Sequence, residues 1–532
     1  MSNPRSPWLV ALVAALIPLG FAAFTQHAWE DYFITLRTSR HLAEGVGLVF
    51  NPGERVHTFT SPLGVLVPAL CSILAGSNHE EIALWIFRGI NASLLAAAAM
   101  LTWRRVAALG LGRVGGVTLI GVLFADAKLV DFSINGMETA ILVFFTLLLW
   151  SELEATPPRA SVIAIAVGGL MWTRPDAFIL GGAMIVARVA IGNGRPILSQ
   201  VPWVPLLRGL GIGGALYVPW FAWAWWYYGT PVPHTIVAKA AYTAPAQLSS
   251  LWNVPWHILN GHAIGLDLFL PTYSAFGGWP ALIQHAAHLL SVVASFAWLV
   301  PGLSATARRA SLAVFIGMFY LCSIILFPWY VPPWTALAAI AIAFGLDGIH
   351  ARAFAAGRKP IATLCRVAGL GLIGLQVSIL SATAWQMRIV QRHVETGVRR
   401  NLGEWLAAHA APGDTVFLEP LGYIGYFSRL KTYDFPGLSS PEVVAAVRSG
   451  ARRYADVIAR LQPNWVVLRP HEAARPEFAR TGALRGYDRV KTWDALPELD
   501  AIQFLPGRSW VEGEASFILF HRRNAAPPAH NQ

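Results

Sequence analysis

The sequence predicts a polytopic α-helical membrane domain followed by a water-soluble α/β domain. Three observations carry this. Apolar residues make up 55% of the 532 and charged residues only 13%, against about 45–50% and 25% in soluble domains; mean hydropathy is +0.50. Apolar runs of helical length recur through the first 384 residues. The composition then changes, and residues 385–532 hold 34 of the 69 charged residues. Disordered chains, nucleic-acid arms and ordinary soluble enzymes are excluded together. The net charge of +11 divides between the two parts as +7 and +4. In a membrane protein such an excess orients loops and is no sign of nucleic-acid affinity.

A hydrocarbon core about 30 Å thick needs about 20 apolar helical residues. Segments 8–25, 82–102, 114–130, 135–151, 160–173, 176–190, 204–226, 279–300, 311–327, 332–350 and 364–384 are the candidates, so about eleven transmembrane helices are expected in residues 1–384. The run from Pro62 to Gly76 has only about 15 residues, too few to cross, and reads as a re-entrant or interfacial helix. Were it to cross, Arg104, Arg105, Arg113, Arg159, Arg308, Arg309 and Arg352 would change sides, against the positive-inside tendency. The amino terminus is therefore expected in the cytoplasm. The first loop (26–81), the 227–278 loop and the 385–532 domain are expected outside.

Ionisable groups at membrane depth are costly and usually face a cavity or a partner. Here they gather at the outer ends of spans. Glu30 and Asp31 follow the first span, Asp126 and Asp131 the third, and Glu138 begins the fourth. Arg174 and Asp176 sit in the turn between the fifth and sixth, and His234 and Lys239 follow the seventh. Adjacent carboxylates can divide work, one kept protonated while its neighbour acts as a base; a capped acidic first turn gives the same pattern without chemistry. Arg37 lies two turns beyond the pair. His57 is either a second polar group of the site or an exposed loop histidine. Lys239 suits a lipid-linked phosphate as a point charge, or snorkels to the interface. The Phe327-Pro328-Trp329-Tyr330 turn breaks a helix at the outer face, where irregular backbone lines a cavity or simply connects spans. Cys71, Cys322 and Cys365 are widely separated and form neither a disulfide framework nor a zinc motif.

In the tail, Thr415–Leu418, Trp465–Leu468 and Ser516–Phe520 read as strands, and 396–409 and Tyr454–Leu461 as helices. This alternation favours a small α/β domain. No nucleophile elbow or phosphate loop is legible there.

The stretch Glu30-Asp31-Tyr32-Phe33-Ile34 through Arg37, with His41 to Asn51 and Thr60-Ser61-Pro62-Leu63, resembles the first outer loop of GT-C fold glycosyltransferases. It is most similar to the mycobacterial terminal β-(1→2)-arabinofuranosyltransferase group. Asn135-Gly136-Met137-Glu138-Thr139, Thr173-Arg174-Pro175-Asp176, Pro233 to Lys239, Leu421 to Tyr426 and Gly437 to Pro441 resemble further motifs of that group. The resemblance implies a bacterial inner-membrane enzyme. It would take a sugar from a polyprenyl-phosphate donor to a glycan or glycolipid acceptor at the outer leaflet, with inversion. Glu30 or Asp31 would be the base. Lys239, Arg174, His234, Arg37, His57, Glu138, Asp176, Asn135, Trp329 and Tyr330 would contact donor phosphate or substrate. Many relatives have two aspartates where this chain has Glu-Asp, and Asn where it has His234, so the base and the sugar stay open. No nucleic acid is implied. Some GT-C enzymes use a divalent metal, but no His/Asp ligand set for one is legible. The rival function, a transporter or flippase of a lipid-linked precursor, calls for internal repeats and polar groups on both sides.

Overall fold

Apolar helices fill the first part of the chain, and a computed structural model describes them within residues 6–76, 79–192, 202–243, 248–261, 267–324 and 327–523. Among the described residues, five helical stretches are long and apolar enough to cross a membrane: Pro7–Thr25, Glu80–Ala108, Ala281–Leu299, Pro332–Ala355 and Lys359–His409. A sixth arises if Ala127–Ile134 and Thr139–Leu153, bent by 119°, form one broken span. The bend falls at Asn135-Gly136, where Gly136 takes a φ of 106° that a side chain would resist. Not every expected segment reaches spanning length. The helices Arg113–Ala125, Ala160–Thr173 and Ala177–Ala190 measure only about 20 Å at 1.5 Å per residue. The expected 114–130 segment is two helices, because Asp126 accepts the Leu129 N–H at 2.9 Å and starts a new one.

The chain forms two compact units, each discontinuous in sequence. One comprises Met1–Thr25, Trp85–Pro219 and Ala246–Trp385. Its core centres on the Pro332–Ala355 helix, whose buried Ala336, Ala338, Ala339, Ala341 and Ala343 let neighbouring backbones approach closely. Gly317 belongs to the same close packing, since a Cβ there would meet the Trp334 ring.

The other unit comprises Gln26–Leu84, Trp220–Pro245 and Gln386–Gln532. It holds a five-stranded mixed sheet of β1 (Thr415–Leu418), β2 (Lys431–Asp434), β3 (Trp465–Leu468), β4 (Tyr487–Asp494) and β5 (Ser516–Arg522), in the order β2-β1-β3-β5-β4. β1 pairs in parallel with β2 and β3, and β5 runs antiparallel to β3 and β4. Phe417, Val466 and Leu468 bury against Val443, Val447 and Ile458. The expected strands β1 and β3 and the helix Tyr454–Leu461 are present at those bounds, and β5 runs two residues further than expected. β2 and β4 are the edge strands. Their sequences, Lys-Thr-Tyr-Asp and Tyr-Asp-Arg-Val-Lys-Thr-Trp-Asp, carry the charges that keep an edge soluble and so hide the strand pattern.

In the first loop, a helix Glu30–Ala43 follows the extended Trp29. A second, Pro62–Ala75, is capped by Ser61, which accepts the Gly64 N–H at 2.8 Å. Its 14 residues measure about 21 Å, short of a span. It packs on the first helix, and the Ser39 hydroxyl donates to the Val65 carbonyl at 2.8 Å.

Candidate functional site

Glu30 and Asp31 form the first turn of the Glu30–Ala43 helix and are half-buried. Carboxylates there meet the positive end of the helix dipole. Glu30 accepts a hydrogen bond from the Gly422 N–H. Only glycine permits this approach, because a Cβ on residue 422 would run into the Glu30 carbonyl oxygen. One turn on, the Phe33 ring centroid lies 4.2 Å from that of Tyr423 and 5.2 Å from that of Tyr426. Buried Arg37 then donates to the Gly425 carbonyl at 2.6 Å and the Leu430 carbonyl at 2.9 Å, with its guanidinium over Phe50. Burial lowers its pKa to about 10, so it stays charged near neutrality. The helix that begins with the acid pair is thus fastened to residues 422–430.

Arg399 is the charge that matters most to Glu30. Burial pushes the Glu30 carboxyl well above the usual carboxylate range; Arg399 opposes this, while Asp31 and Glu395 reinforce it. Arg399 bonds Glu395 at 2.7 Å and also Glu514. Arg469 continues the network to Glu514 at 2.6 Å, Glu419 at 2.7 Å and Glu472 at 3.0 Å. Gly422, Arg399 and Glu514 escape sequence reasoning because some 370 to 480 positions separate them from Glu30. The Leu421-Gly422-Tyr423 motif is the one signal that pointed to this region.

His57 and His234 lie on neighbouring segments, since the His234 N–H donates to the His57 carbonyl at 2.7 Å. His57 is no exposed loop histidine. It is buried, stacked on Tyr228 at 4.6 Å, and its Nδ1 has no hydrogen-bond partner. Burial lowers its pKa to about 4 and keeps it neutral. His234 opens the helix His234–Tyr242, and Lys239 stands half-buried in the last turn. Burial lowers the His234 pKa, and Asp434 opposes the shift.

In the other unit, Arg174 meets Asp176 at 3.1 Å and Glu138 at 3.4 Å, with Tyr330 under its guanidinium at 4.1 Å. The Tyr320 hydroxyl donates to Asp176. Two carboxylates against one guanidinium leave no surplus positive charge among these partners. A cavity of about 20 Å³ beside them, lined also by Leu142 and Trp334, is small for anything beyond a water. Asn135 donates to Asp131 at 2.6 Å, and Trp329 stacks on Phe327 at 4.6 Å.

The predicted site residues therefore divide evenly. Glu30, Asp31, Arg37, His57, His234 and Lys239 belong to one unit, and Asn135, Glu138, Arg174, Asp176, Trp329 and Tyr330 to the other. Among the described residues, no group of three or more His, Cys, Asp or Glu side chains is placed to hold a metal ion.

Comparison with known proteins bears on this geometry. A family model described as a domain of unknown function (DUF8728) matches residues 385–513. A terminal β-(1→2)-arabinofuranosyltransferase of Corynebacterium glutamicum is 28% identical over 301 residues, 51% of this chain and 41% of the relative. Its namesake in Mycobacterium tuberculosis is 27% identical over 259 residues, 44% of this chain and 38% of the relative. The chain thus spans about two-fifths of the length of these curated relatives. Among solved structures, ArnT from Cupriavidus metallidurans, bound to undecaprenyl phosphate, superposes with a TM-score of 0.50 at 12% identity, over 98% of both chains. Arabinofuranosyltransferase AftD from Mycobacteria superposes with a TM-score of 0.50 at 14% identity, over 98% of this chain and 40% of that one. The apolar spans and this likeness mark an integral membrane protein whose helical fold resembles that of GT-C membrane glycosyltransferases.

Proposed function

We propose that this chain is a glycosyltransferase of the bacterial inner membrane. In this reading it moves a sugar, arabinofuranose by the names of its relatives, from a polyprenyl-phosphate donor to a cell-envelope glycan or glycolipid at the outer leaflet. The amino terminus is cytoplasmic and the 385–532 segment extracytoplasmic. The observation that carries the chemistry is the unequal pair at the start of the Glu30–Ala43 helix. Glu30 is engaged by Gly422 and inclined to hold its proton. Asp31 projects about 100° around the helix from it and takes the role of base.

In the reaction, Asp31 accepts the proton of an acceptor hydroxyl as that oxygen bonds to the anomeric carbon from the face opposite the phosphate. The bond from the anomeric carbon to the phosphate oxygen breaks, and polyprenyl phosphate leaves with the electron pair. Charge grows on the leaving phosphate, and a nearby cation lowers the barrier. Lys239 fills that role in this reading, because the charge of Arg174 is already matched by Asp176 and Glu138. Glu30 positions the helix that carries the base.

The test is transfer from synthetic polyprenyl-phosphate arabinofuranose by the purified full-length protein. Asp31→Asn is expected to lower kcat by about 10²–10⁴-fold, the usual worth of a general base, and Glu30→Gln by less. Unchanged transfer in Asp31→Asn removes the proposed base.

A further inference from the structure

Beside the Glu30–Ala43 helix is a cleft of about 160 Å³ that none of the proposed reaction steps uses. Arg40, Glu44, Ile73, His79, Glu80 and Tyr426 are among its walls. Arg40 pairs with Glu44 at 2.6 Å and lies 3.4 Å from the Tyr426 hydroxyl. Glu80 faces Arg400 at 3.9 Å. The charges therefore cancel in pairs, which gives an anion such as a phosphate no net attraction. What remains is a set of directed hydrogen-bonding groups, namely two carboxylates, a guanidinium, an imidazole and a phenol. They stand over an apolar floor formed by Leu36, Ala43, Ile73 and Ala83.

We infer that this cleft binds a neutral sugar ring of the acceptor. Hydroxyls of the ring exchange hydrogen bonds with the carboxylates, the guanidinium and Tyr426, and its C–H face lies on the apolar floor. A neutral polyol matches such a surface because it brings donors and acceptors without a charge to be neutralised. The volume suits one ring. Arg40 is ten positions beyond Glu30, about 15 Å along the helix at 1.5 Å per residue, so a ring in the cleft is not the ring being glycosylated. The acceptor is then an oligosaccharide long enough to bridge that distance, held by an inner ring while its end reaches Asp31. This inference rests on the transferase reading for the identity of the ligand as acceptor, but the cleft can be tested without turnover.

The experiment is saturation-transfer NMR titration of the full-length protein in detergent, with no donor present. The probes are a methyl arabinofuranosyl disaccharide, its phosphorylated form and its octyl glycoside. The plain disaccharide is expected to bind, and Tyr426→Phe, which removes one neutral hydrogen bond, to weaken it by about fivefold. Ala43→Trp, which fills the cleft from the side of the first helix, is expected to abolish binding; it serves as the second variant should Tyr426→Phe misfold. Unchanged binding in both variants, or tighter binding of the phosphorylated probe, overturns the inference. Tighter binding of the octyl glycoside supports the cleft with a glycolipid acceptor, and equal binding supports it with a free glycan. Saccharide binding that persists in a protein without transfer activity would count against the transferase reading and leave the cleft standing.

Discussion

Glu30 and Asp31 are chemically alike and adjacent, and burial pushes the Glu30 carboxyl well above the usual carboxylate range while the Gly422 N–H opposes that shift. Gly422 reaches Glu30 because it has no side chain. Gly422→Ala is expected to push the two segments apart, at about 1–3 kcal/mol, the usual cost of overpacking. A lowered melting temperature together with loss of transfer is the measurement; an unchanged melting curve would contradict the contact. His57 supplies a pH signature. The unfolded chain takes up a proton there near pH 6.5, the folded chain only near pH 4. Between those values the unfolded state is the more protonated, so stability falls as the pH drops through the window, by about 3 kcal/mol at 1.36 kcal/mol per pH unit. His57→Phe keeps the ring on Tyr228 and abandons no hydrogen bond of Nδ1. Its melting temperature is expected to vary less between pH 6.5 and 4 than that of the natural protein.

At the scale of elements, the Glu30–Ala43 helix owes its placement to Arg37. Two carbonyls are read by one planar fork, which Lys cannot reproduce. Each hydrogen bond from a charged donor contributes about 1.5–3 kcal/mol. Arg37→Lys is therefore expected to expose the 422–430 segment to protease nearly as much as Arg37→Ala; full protection in the Lys variant would show that charge alone suffices. The Pro62–Ala75 helix yields a topological prediction. At about 21 Å it is shorter than a span, and on the proposed topology single cysteines at Thr60 and His79 are expected to label from the same, outer side. Labelling from opposite sides would make it a span.

At the scale of the whole molecule, the unit that holds the acid pair draws on three separated stretches, with the tail as the largest. Truncation after Trp385 removes Gly422, Arg399 and the carbonyls held by Arg37. Residues 26–61, mostly buried or half-buried in the full chain, are then expected to become more protease-sensitive; unchanged sensitivity would mean that the first loop folds without the tail. The sequence by itself determined the membrane class, the places of the long apolar helices, two of the five strands at their bounds and the acidic start of the first loop. Each of these is written in local composition and periodicity, which needs no knowledge of distant partners. Tertiary structure alone decided that Glu30 is engaged by Gly422, that Arg37 binds carbonyls, that His57 is buried and that Arg174 is matched by two carboxylates. It also revealed the edge strands β2 and β4, whose charged residues carry no core pattern. Such roles depend on contacts between residues hundreds of positions apart, or on burial that only the folded chain creates, and no local pattern records either.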